Sequence, residues 1–332
     1  MDKLKVAVIG TGIMGKSHAR IYADMDSVEL VGICDADKKV SEEAAKKYHT
    51  NDYQNADDLL KEEKPDAVSI CVPTKFHESV ALPFIKKKVD LLVEKPITST
   101  LEEGRKLADM ASKNNIKLMV GHVERFNPVV IEMKKRLLNK ELGRIYSVNS
   151  SRMSPFPQRV VDVGVTIDLA VHEIDIINHL IGAKIKSVFA ETSRKIHSSH
   201  EDLLIGTIRF SNETLGIINC NWLTPKKIRE IKILGEKGML EANYLTQELY
   251  FYKNEFTEKN FSYEKGFMNV VEGDVVKIKI STKEPLRNEL EAFVECIQKN
   301  MPCPVTAEDG LNALFIAQKL VDSSKTNKVI EL

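Results

Sequence analysis

The sequence predicts an α/β protein: an N-terminal doubly wound domain, then a C-terminal α/β domain with an open-faced, mostly antiparallel sheet. Three observations carry that reading. Up to Val120, short β-branched runs alternate with longer helical patterns. A glycine-rich turn, Gly10-Thr11-Gly12-Ile13-Met14-Gly15, follows the first of those runs directly. From Arg144 the rhythm changes to closely spaced runs in which polar and apolar positions alternate.

The first five strand-like runs are Lys5–Ile9, Val28–Cys34, Ala67–Val72, Asp90–Val93 and Lys117–Val120. Gly15–Asp24, Lys38–Lys47, Asp57–Glu63, Glu78–Lys87 and Leu101–Asn114 read as helices. Continuous apolar strands separated by helices indicate a parallel sheet covered on both faces. Right-handed crossovers then wind it in both directions. In the second half, Arg144–Arg152, Lys186–Thr192, Leu203–Phe210, Thr214–Trp222, Ile228–Leu234 and Glu248–Tyr252 are strand-like. Ser211-Asn212 and Gly235-Glu236-Lys237-Gly238 are turn signals that pair successive strands as hairpins. Helices are expected over Thr166–Ile181, Glu289–Lys299 and Glu308–Ser323. The expected domains are residues 1–122, for a dinucleotide, and 123–332, for substrate and oligomerisation. An antiparallel sheet with so few helices leaves one face uncovered, to be solvated or buried against another subunit; a homodimer or homotetramer through that face is the expectation.

Composition removes several function classes. The 332 residues carry 48 basic and 48 acidic side chains, so nothing favours a nucleic-acid partner. No apolar run approaches the roughly 18 residues of a membrane span. Met1-Asp2-Lys3-Leu4-Lys5 runs straight into a strand, with no room for a signal peptide. Five cysteines without a CxxC pair fit a reduced, cytoplasmic protein.

The turn Gly10–Gly15 lies between a strand and a helix, and Asp35 closes the second strand. Glycines let the backbone approach a pyrophosphate seated at a helix N-terminus. A carboxylate at Asp35 accepts hydrogen bonds from ribose hydroxyls and repels a 2′-phosphate, which points to NAD despite Lys38 and Lys39 nearby. Gly10, Gly12, Ile13, Met14, Gly15 and Asp35 are the cofactor candidates here, joined by Pro73, Thr74 and His77 after the third strand and by Glu94 and Lys95 after the fourth. His77 reads equally as a nicotinamide contact or as a helix-start histidine. Lys95 ends an apolar strand, where a charged side chain reads as functional, although a surface turn before Pro96 also explains it.

Asp168, His172, Asp175 and His179 recur at helical spacing on one stripe. A solvated face, a metal site and a catalytic cleft each account for such a stripe. No further clustered ligand set accompanies it, so no metal is expected. Oxidising an alcohol with NAD needs a base for the hydroxyl proton; histidine suits that task, and a carboxylate one turn away can orient it.

These motifs, with Glu94-Lys95-Pro96, Gly121-His122, Arg125-Phe126-Asn127-Pro128, Glu284-Pro285-Leu286-Arg287 and Asp309-Gly310, resemble the Gfo/Idh/MocA oxidoreductase family over essentially the whole chain. The resemblance implies an NAD(P)-binding Rossmann domain, an open-faced sheet used for oligomerisation, and reversible hydride transfer at a sugar or cyclitol carbon. It implies Lys95 and His172 as catalytic pair, Asp168 as supporting group and a cis peptide at Lys95–Pro96. Many members have glycine where Ala170 stands, and Gly-Gly where only Gly164 is found, which puts a free sugar in doubt. The segment Arg152–Gly164 resembles the branch oxidising UDP-N-acetylhexosamines, which implies UDP-N-acetylglucosamine oxidised at C3. Arg152, Arg159 and His172 are then the substrate-binding candidates, because arginine binds phosphate oxygens bidentately; two solvated arginines are the alternative. An inositol or free-sugar dehydrogenase, and a catalytically silent NAD-binding regulator, are the competing functions.

Overall fold

The computed structural model describes residues 3–157, 163–197, 199–256 and 270–332, which form two compact units. The first contains β1 (Leu4–Ile9), α1 (Ile13–Ala23), β2 (Val28–Cys34), α2 (Lys38–Tyr48), β3 (Asn51–Tyr53) and α3 (Ala56–Glu63). It continues with β4 (Ala67–Ile70), α4 (His77–Lys86), β5 (Asp90–Glu94), α5 (Leu101–Lys113) and β6 (Leu118–Gly121). The strands form one parallel sheet in the order β3-β2-β1-β4-β5-β6. Every residue of β4 and β6 is buried, as expected of strands covered on both faces. Side-chain caps start α2 and α5: Asp37 accepts from the Lys39 and Val40 amides, and Thr100 and Glu103 form a reciprocal capping box on α5.

The second unit holds α6 (Pro128–Leu138), β7 (Ile145–Met153), α7 (Val171–Ile181), β8 (Ile185–Ser193), β9 (Leu203–Phe210) and β10 (Leu215–Asn221). It adds β11 (Ile228–Gly235), β12 (Gly238–Asn243), β13 (Glu248–Phe256) and β14 (Val270–Ile278). After α8 (Pro285–Gln298) and α9 (Ala307–Thr326), β15 (Ile330–Glu331) ends the chain. The nine strands run β14-β13-β12-β11-β7-β10-β9-β8-β15, antiparallel except for the β7–β10 pair. Alternate residues of β9 and β10 are buried, and the register puts Ile205, Leu215, Ile217 and Leu234 together on the opposite, exposed face.

Packing links segments that are distant in sequence. The first unit extends to Phe126 and takes back Glu284–Phe315. The apolar stripe of α8, with Leu286, Leu290 and Phe293 buried, packs on α1, and ion pairs Arg20–Glu284 and Arg287–Asp24 flank it. The Val305 carbonyl accepts the Val120 N–H at 3.3 Å, and a Cβ on Gly310 would lie 2.9 Å from the Val120 side chain. An amphipathic pattern declares a buried face but not which sheet buries it.

Candidate active site

The first sheet reverses strand order between β1 and β4, and ligands of such sheets gather outside the carboxyl ends of the strands there. Gly10 follows β1 with φ +88°, and a Cβ on it would lie 2.8 Å from the Cys71 carbonyl group. A Cβ on Gly15 would come within 1.8 Å of the Gly10 oxygen. Packing therefore dictates both glycines. Gly12 is different: a Cβ there would meet nothing within 4 Å. It starts α1 without a side-chain cap, and the first turn of that helix holds no acidic residue. Ile13 is exposed beside it and Met14 half-buried. Open space over a bare helix N-terminus suits the pyrophosphate of a dinucleotide.

Asp35 sits across this turn. One carboxylate oxygen accepts the Thr11 N–H at 2.7 Å and the Thr11 hydroxyl at 2.8 Å; the other accepts the Asp37 N–H at 3.0 Å. Burial pushes the carboxyl upward, but these donors and the Lys16 ammonium outweigh it and hold the pKa below the usual range. Asp35 is thus an anion at neutral pH, the state that accepts from ribose hydroxyls and repels a 2′-phosphate.

At the neighbouring strand ends, Pro73 is exposed and Thr74 half-buried after β4, while Glu94 ends β5 and Lys95 follows it. The Lys95–Pro96 peptide is cis, as the family resemblance implies. The Lys95 amide donates to one Glu94 oxygen at 3.1 Å, and His18 Nε2 lies 3.2 Å from the other. Burial acts to raise the Glu94 carboxyl, and the His18 contact with the Lys95 charge brings it below its ordinary value. Glu289 completes this cluster from α8; ligand atoms of His18, Glu94 and Glu289 all lie within 4.8 Å of one another, the spacing of a possible metal site among the described residues. The sequence reading passed over His18 and Glu289. A histidine on the buried face of α1, beside Ile21 and Tyr22, was the available signal for the first.

His77 requires a correction. Its Nδ1 faces the Pro96 and Ile97 carbonyls at 3.0 and 3.2 Å, and its Nε2 faces the Val72 carbonyl at 2.9 Å. It is buried, and that burial lowers its pKa. With both nitrogens turned to backbone oxygens, it braces the Lys95-Pro96-Ile97 turn rather than contacting a nicotinamide.

In the second unit the chain enters α7 through a π turn, Thr166–Ala170, which carries Asp168; His172 follows in the first turn of α7. Both are half-buried. π turns inside helices are frequent at functional sites. Glu173 and Asp175 are buried, so this helix does not present a solvated polar face. Glu201, another residue the sequence reading missed, accepts the Thr166 N–H at 3.2 Å, and its backbone oxygen accepts the Val165 N–H at 2.9 Å. Any side chain at Gly164 would invade this carboxylate, because a Cβ there falls 2.1 Å from it. Gly164 thus leaves room for the group that caps the start of the helix.

Arg152 also departs from expectation. It is 5% exposed, and its Nε donates to the fully buried Glu173, which accepts from Ser150 as well. This buried ion pair is a partner that the sequence reading of Arg152 did not foresee. Arg159 lies outside the described residues.

Residues 4–122 match the model of an oxidoreductase family with an NAD-binding Rossmann fold, and residues 134–332 match the C-terminal α/β domain of the same family. The chain belongs to the Gfo/Idh/MocA family. It is an NAD-binding oxidoreductase. The UDP-N-acetylglucosamine 3-dehydrogenase of Acidithiobacillus ferrooxidans is 26% identical over 91% of both chains. A crystal form of that enzyme superposes with a TM-score of 0.85 at 25% identity, covering 98% of this chain and 99% of the other. The myo-inositol 2-dehydrogenase of Thermotoga maritima is 22% identical over 99% of both chains.

Proposed function

We propose that this chain is a sugar or polyol dehydrogenase whose substrate is UDP-N-acetylglucosamine, oxidised at C3 to the 3-keto sugar. The observation that carries this reading is the 26% identity to the Acidithiobacillus enzyme over nine-tenths of both chains. Within the chain, the open cradle at Gly12 and the anionic Asp35 hold NAD, and bound NAD supplies the hydride acceptor. His172 accepts the hydroxyl proton, and Asp168, one turn before it, orients the imidazole. Lys95 holds the reacting oxygen by a hydrogen bond. The first unit serves the cofactor and the second the substrate. Retention of both Lys95 and His172 favours an enzyme over a silent regulator.

One observation favours a second reading. The buried Glu173 takes the Nε–H of Arg152, which draws that guanidinium toward an internal partner and suits an uncharged polyol such as myo-inositol. Thermal shift with NADH present separates the two: UDP should raise the melting temperature under the first reading, whereas only myo-inositol should do so under the second.

The exposed face carrying Ile205, Leu215, Ile217 and Leu234 is proposed to close a homodimer or homotetramer. Light scattering that returns a monomer would remove this part of the proposal. No described helix is long and apolar enough to cross a membrane, and all five cysteines are free; both fit the proposed place of action, the cytoplasm.

A further inference from the structure

We infer that Cys296 and Cys303 form a peroxide-reactive dithiol that closes reversibly into a disulfide. The two sulfurs lie 3.5 Å apart, near enough for one thiol to hydrogen-bond the other. Cys296 is buried in the last turn of α8, where its thiol also reaches the Phe293 carbonyl at 3.2 Å, while Cys303 is half-exposed in the connection to α9. The connection is already folded back. The Met301 N–H donates to the Cys296 carbonyl at 2.9 Å and the Asn300 N–H to the Ile297 carbonyl at 3.1 Å. Closing the bond therefore needs the sulfurs to approach by roughly 1.5 Å, to the S–S length of about 2.05 Å.

The surroundings favour reaction. The thiol of Cys303 and the Lys117 ammonium stabilise negative charge on Cys296, against its burial, and hold its pKa below the ordinary thiol value. The thiolate is the reactive form of cysteine. The remaining three cysteines offer no comparable chemistry. Burial raises the thiols of Cys34, Cys71 and Cys220, and no described sulfur is paired with theirs.

The reaction balances with hydrogen peroxide as oxidant. The first thiolate attacks a peroxide oxygen, an S–O bond forms, the O–O bond breaks and hydroxide leaves, taking the proton to become water. The second sulfur attacks the sulfenic acid, an S–S bond forms and a second water departs. Two thiols and one peroxide give one disulfide and two waters, and the protein loses two electrons. A dithiol reductant reverses the step by exchange. The resulting staple joins the end of α8 to the segment whose Val305 carbonyl bonds β6.

The test treats the reduced full-length chain with hydrogen peroxide, or with diamide in parallel, blocks remaining thiols with N-ethylmaleimide and maps peptides by mass spectrometry. The expected result is a cross-linked Cys296–Cys303 species that dithiothreitol abolishes, with Cys34, Cys71 and Cys220 alkylated only after unfolding. Cys303→Ser, Cys303→Ala and, separately, Cys296→Ser should each prevent the cross-link. Recovery of both residues as free or as singly oxidised thiols in the unmutated chain would overturn the inference. So would a disulfide to any other cysteine. None of these readouts depends on which sugar the enzyme oxidises.

Discussion

Asp35 accepts two hydrogen bonds from one residue, Thr11, through its backbone N–H at 2.7 Å and its hydroxyl at 2.8 Å. This pairing ties the end of β2 to the glycine turn after β1 and fixes an anion where the adenosine ribose of a dinucleotide belongs. NAD should bind more tightly than NADP by one to two orders of magnitude, on the order of the ~1–3 kcal/mol of a polar group left unpaired. Titration of the purified protein with both cofactors checks it. Asp35→Ser should narrow the gap, and equal binding to the unmutated chain would contradict this role.

Replacing Lys95 or His172 by alanine should lower kcat by roughly 10²–10⁴-fold, the usual loss of an acid–base group, while NAD affinity stays within a few-fold. Single-turnover kinetics together with cofactor titration separate the two effects. Near-normal turnover in His172→Ala would move the proton transfer elsewhere.

Much of the first unit was legible because its strands are buried on both faces, and unbroken apolar runs such as Ala67–Ile70 announce that. The glycine turn was legible as well, since Gly10 and Gly15 obey packing rules that no other residue type satisfies. The short β3 and β15 were not, because two or three residues carry too little pattern; β12 and β14 were missed as well, although they are longer. Helix α6 was hidden behind Asn127-Pro128, read only as a motif although it caps and opens the helix. Sequence also cannot name the partner of a charge. Arg152 looks the same whether it meets a phosphate or Glu173, which lies 21 positions further along, and only the folded sheet decides. His77 failed for the same reason, its three carbonyl partners being supplied by two separate strand ends.

Gly164 and Glu201 should behave as a coupled pair. Gly164→Ala displaces the Glu201 carboxylate, and Glu201→Ala removes it; each should cost roughly 1 kcal/mol by freeing the Thr166 N–H. The double variant should cost about as much as either single one, since the same hydrogen bond is lost once. Urea unfolding of the three variants measures this, and simple additivity would contradict the shared contact.

Asp309 gives a pH-dependent contribution. Burial acts to raise its carboxyl, but the Arg125 guanidinium at 3.0 Å and the Thr306 amide and hydroxyl hold it below the ordinary carboxylate value. An acid held low stabilises the fold at any pH above its unfolded value, about 3.9, and loses that contribution as pH falls through its folded value. Asp309→Asn should therefore cost roughly 1–2 kcal/mol near neutrality and progressively less below about pH 4. Denaturant midpoints of both proteins across that range report the difference.

The proposed reaction transfers a hydride from a nucleotide sugar to NAD. The most direct measurement is NADH absorbance after mixing the purified chain with NAD and UDP-N-acetylglucosamine, with myo-inositol and free glucose in parallel. NADH should form with the UDP-sugar, and its formation should be lost in His172→Ala. NADH formation with myo-inositol or glucose and none with UDP-N-acetylglucosamine would contradict the substrate, and none with any sugar or polyol would contradict the enzyme.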